Sequence, residues 1–87
     1  MNIDFAWDTY PDLSFDGFRI YVSPTLTDFV LALEIPNIAA VTGTVNAPAF
    51  GAFNYQLRAY KGDLESPPSA NVQVEFQVQA PTGFHKV

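Results

Sequence analysis

The stretch "FNYQLRAYKGDLESPPS", Phe53 to Ser69, alternates and then turns. Phe53, Tyr55, Leu57 and Ala59 fall on one side of an extended chain, and Asn54, Gln56 and Arg58 on the other. A period of two is that of a strand with one buried face. Lys61-Gly62-Asp63 follows, and although it resembles an integrin-binding tripeptide, it reads as a turn: glycine supplies positive φ and aspartate a local hydrogen bond. Pro67 and Pro68 then break the chain where a missing amide hydrogen costs least.

Working outward, the same period recurs. "NIDFAWD" (2–8) sets Ile3, Phe5 and Trp7 against Asn2, Asp4 and Ala6, and "GFRIYVS" (17–23) sets Phe18, Ile20 and Val22 against Arg19 and Tyr21. In "NVQVEFQVQ" (71–79), Val72, Val74, Phe76 and Val78 oppose Gln73, Glu75, Gln77 and Gln79. Two weaker runs lie between: "DFVLALEIP" (28–36), apolar on both faces near its middle, and the β-branched "IAAVTGTV" (38–45). The first has helix-compatible propensity but is short and stopped by Pro36, so it reads as a strand. No window carries a capped helical stripe. Six short strands separated by turn signals predict an all-β sandwich.

The chain has 87 residues, 48% of them hydrophobic and 15% aromatic, which suits one domain with one core. Nine acidic residues outweigh four basic ones for a net charge of −5, and the bases are scattered, so a phosphate backbone would repel it and nucleic acid is excluded as a partner. Without cysteine, neither disulfides nor thiolate metal sites can hold the fold. Asp4, Asp8 and Asp12 interrupt any signal-peptide h-region, and no apolar run approaches the roughly 18 residues of a membrane span. With Met1 as the start, a soluble protein made without a secretion signal is expected.

The order of "FAWD", "DGFRIYVS" and "YQLRAYKGDLESPPS" resembles the B, C, F and G region of a fibronectin type III domain, with the spacing of "RAY" and "ESPPS" the most specific part and Ile3 to Phe76 covered. The resemblance implies an immunoglobulin-like antiparallel sandwich of six to seven strands. Its core anchors would be Trp7, Phe18, Ile20, Phe53 and Leu57, all inward positions of the alternation. Phe53 stands where such domains usually carry a tyrosine, and "NAPAFGA" departs from the family's corner sequence just before it. A larger departure is at the front: the tryptophan strand begins almost at Met1, so the resemblance implies a domain expected to lack its own strand A. The sandwich is assigned to residues 1–79 and a tail, frayed or donated as a strand, to 80–87.

Catalysis finds little support. The only histidine, His85, lies near the end, and Asp8, Asp12 and Asp16 match no calcium-loop spacing; no enzyme activity, cofactor, metal or small-molecule substrate is expected. Candidate interface residues are Ile3 and Phe5 on the uncovered strand, Tyr21 and Tyr60 on the outer face, and Pro81 and Phe84 in the tail. Tyr10, Phe15 and Phe50 are further exposed aromatics. Together with the resemblance, these features suggest a structural or adhesive module of a tailed-bacteriophage virion, made in the host cytoplasm. Its partners would be copies of itself and other virion proteins. The alternative is a spacer or carbohydrate-associated module of a bacterial surface protein or secreted glycoside hydrolase.

Overall fold

The computed structural model describes residues 2–47, 51–76 and 81–87. Seven strands run in the order β1 (Asn2–Ala6), β2 (Gly17–Ser23), β3 (Val30–Ile35), β4 (Thr42–Asn46), β5 (Gly51–Lys61), β6 (Leu64–Glu65) and β7 (Val72–Phe76). Two antiparallel sheets result: β1 with β4, and a five-stranded sheet ordered β3-β2-β5-β6 in which β7 also pairs with β5. The described residues form no helix, and "DFVLALEI" is strand β3. The expected β-sandwich class therefore holds. Strand continuation past Phe76, the boundary at residue 79 and the position of Phe50 lie outside the described residues.

The core forms where the inner faces meet. Ile20 from β2, Val45 from β4 and Tyr55 from β5 are buried together, with Phe5, Trp7, Phe53 and Leu57 packed half-buried against them. Phe18 is also buried and stacks on Trp7 at 5.2 Å between ring centroids. Gly43 makes this contact possible: a Cβ there would stand 3.1 Å from the Trp7 ring and 2.8 Å from Ile35 Cδ1. The indole nitrogen of Trp7 donates to the carbonyl of Ala40 at 3.0 Å, which satisfies its one polar atom.

Two loops depart from the sequence reading. Tyr10 and Phe15 are half-buried, because the 8–16 loop folds back through a turn in which the Asp12 carboxylate accepts hydrogen bonds from the Ser14 amide and hydroxyl. Their rings stack at 5.3 Å, and Tyr10 meets Phe18 edge-on at 6.1 Å, which extends the core beyond the strands. The final strand is split in two. Pro67 and Pro68 interrupt it, and the hydroxyls of Ser66 and Ser69 accept from the amides of Ala59 and Leu57 at 3.0 and 2.9 Å. Side-chain oxygens thus stand in for backbone carbonyls on this side of β5.

Candidate functional site

Strand β1 decides where the molecule is open. Among the described residues it pairs on one side only, with β4, in the register Ile3↔Val45 and Phe5↔Gly43. The Trp7 amide donates to the Val41 carbonyl at 2.9 Å on that same side. Backbone groups alternate along a strand, so Asn2, Asp4 and Ala6 turn their N–H and C=O groups the other way, along the unpaired margin. Asp4 and Asp8 are exposed there, Asp4 accepting from the Thr44 hydroxyl at 2.6 Å.

Beneath that margin lies an apolar groove of about 220 Å³. Phe5 and Trp7 form one wall, Ile20, Tyr55 and Leu57 the floor, and the 69–72 segment the far rim. Its lining comes from β1, β2, β5 and the far rim, with no β4 side chain among the described residues, so it opens on the side of β1 away from β4. The cause is an imbalance of layers: two strands cannot cover a five-stranded sheet, and the inward side chains of β5 run on past the edge of β1. Phe5 still stacks on Tyr55 at 5.1 Å across the gap. Burial raises the Tyr55 phenol above its ordinary pKa.

The outer face of the larger sheet is built differently. Arg19 and Arg58 are directly opposite in the β2–β5 register, a repulsive placement unless neutralised. Glu34 accepts from Arg19 Nε at 2.9 Å, and Glu65 accepts from Arg19 at 3.0 Å and Arg58 at 3.1 Å. Tyr21 donates its hydroxyl to the same Glu65. That bond, with the two guanidiniums behind it, holds the Glu65 carboxyl below the usual range. The guanidiniums also lie over aromatic rings, Arg19 above Tyr60 at 4.0 Å and Arg58 above Tyr21 at 4.2 Å.

The predicted interface residues therefore separate. Tyr60 points outward as expected but is only 7% exposed, because Arg19 covers its ring, while Tyr21 is half-buried under Arg58. Sequence reading missed this because diagonal Arg–Tyr contacts need the strand register, although Arg19/Tyr21 and Arg58/Tyr60 do repeat at a spacing of two. Ile3 and Phe5 face inward from β1, half-buried. Pro81 and Phe84 are exposed, Phe84 at 98%.

Lys61-Gly62-Asp63 forms the β5–β6 turn, with Gly62 at φ 56°. The Gly62 amide donates to Asp16 Oδ2 at 2.8 Å, so the turn is clamped from below. His85 donates from Nδ1 to the Gly83 carbonyl within the tail, 2.6 Å away. Among the described residues no group of three or more His, Asp or Glu side chains is placed to hold a metal ion, and no helix is long and apolar enough to cross a membrane. Comparison with known proteins found no match among family models, curated proteins or solved structures.

Proposed function

We propose that this chain is a non-catalytic structural module of a larger assembly, a component of a tailed-bacteriophage virion that acts through protein–protein contacts. One observation carries the reading: a strand margin unpaired among the described residues lies directly over an apolar groove. Such a margin offers main-chain hydrogen bonds and side-chain pockets together, the two ingredients of recognition by strand addition. The finer fold assignment, a fibronectin type III-like sandwich, is part of the same proposal. What supports it is that β1 and β4 share one sheet while β2, β3, β5, β6 and β7 share the other, which matches the strand roles implied by the sequence resemblance.

The virion assignment has its own test. Antibodies raised against the chain should decorate purified particles in immunogold electron microscopy, at many sites per particle. Particles that carry no label, together with retention of the protein on immobilised polysaccharide, would instead favour a spacer or carbohydrate-associated module.

A further inference from the structure

We infer that the groove beside β1 receives the C-terminal segment Pro81–Val87 of a second copy of this chain, added as an antiparallel strand, so that copies join head to tail. This inference rests on the assembly reading above and names its partner.

Three features single out that occupant. Residues 81–87 are all exposed, with Phe84 and Val87 fully so. The molecule is correspondingly long: its radius of gyration is 16.8 Å where a compact chain of this length has about 12 Å. Charge agrees as well. Nine acids against three bases give residues 1–85 a balance of −6, whereas the tail carries Lys86 and no acid.

Size and backbone pairing also fit. An apolar cavity of roughly 150 Å³ admits benzene, so about 220 Å³ takes the Phe84 ring. With Phe84 level with Phe5, the segment sets His85 opposite Asp4 and Gly83 opposite Ala6, and Asp4 and Ala6 turn their backbone groups outward. Pro81 then falls at the first position of the added strand, where its missing N–H is tolerated. The far rim of the groove offers no such ladder, since 66–71 lies outside any strand.

Direction distinguishes the chain's own tail from a neighbour's. β7 ends at Phe76 level with Gly51, and β5 begins there just after β4 has paired Asn46 with Asn2. β7 thus heads toward the end of the molecule where β1 begins, and a segment turning back from there along β1 would run parallel to it. An antiparallel strand must enter from the Trp7 end, and so from a neighbour stacked beyond that end. Repeating this contact is heterologous and gives a filament or a ring.

The experiment is a complementation between two variants followed by size-exclusion chromatography with light scattering. Wild-type protein should show species larger than a monomer that grow with concentration. Phe84→Ala removes the donor anchor from a fully exposed position, and Ala6→Pro removes one N–H from the open margin while sparing the β4 ladder. Each variant alone should be a monomer, with association weakened at least about thirtyfold. Mixed in equal amounts they should form a 1:1 dimer and nothing larger, because one keeps a groove and the other a donor. Circular dichroism of both variants establishes that they fold. A wild-type monomer at high concentration, unchanged association of Phe84→Ala, or a mixture that stays monomeric would each overturn the inference. None of these results depends on whether particles are labelled, so the virion reading stands or falls separately.

Discussion

Ser66 and Ser69 show how a single hydroxyl can carry a strand across a break. Each accepts an amide hydrogen of β5, from Ala59 and Leu57, at positions where the neighbouring prolines disrupt the ladder. Removing an acceptor from a buried donor costs about 1–3 kcal/mol. Ala59 is buried whereas Ser69 is exposed, so Ser66→Ala should cost more, about 1–2 kcal/mol, and Ser69→Ala less than about 1 kcal/mol. Urea titrations followed by far-ultraviolet circular dichroism would measure both, and equal stability of Ser66→Ala and wild type would refute the role assigned here. Gly43 acts through space in the opposite sense. Gly43→Val would drive the Trp7 and Ile35 side chains apart and should cost about 1–3 kcal/mol by overpacking, read in the same titration.

Among the elements, the β2–β5–β6 outer face depends most on charge. Glu65 accepts from Tyr21, Arg19 and Arg58, and its folded-state pKa lies below the ordinary glutamate value of 4.5. Its stabilising contribution is therefore complete above that pH and is lost as pH falls through the lower folded value. Glu65→Gln should lower stability at pH 7 and flatten the decline between neutral and strongly acidic pH; an unchanged pH profile would show that the carboxylate is not coupled to folding. The strands themselves were legible from alternation alone. β2 occupies the same seven residues as "GFRIYVS", because one polar and one apolar face leave a single register that buries Phe18 and Ile20 and half-buries Val22. What the sequence could not disclose was anything that depends on register between strands. The Arg–Tyr stacks, the bond from Trp7 to Ala40 and the groove itself all join residues far apart in the chain. Nor does alternation mark Tyr10 and Phe15, which a loop half-buries.

For the whole molecule, the relevant contrast is between a packed sandwich and a terminal segment exposed along its length. Residues 81–87 are exposed throughout, so deleting them should shift the stability of the dilute monomer by no more than about 0.5 kcal/mol. Equilibrium urea unfolding at low concentration tests this. A larger loss would mean that the tail packs on its own domain. At high concentration the same deletion should matter far more, because ligation of the groove stabilises the folded form by mass action.

The chain's single tryptophan happens to form one wall of that groove. Half in water, its indole is an optical probe built into the contact. Insertion of a neighbour's phenyl ring would dry it and move its emission to shorter wavelength. The protein thus needs no label for its self-association to be watched in a cuvette.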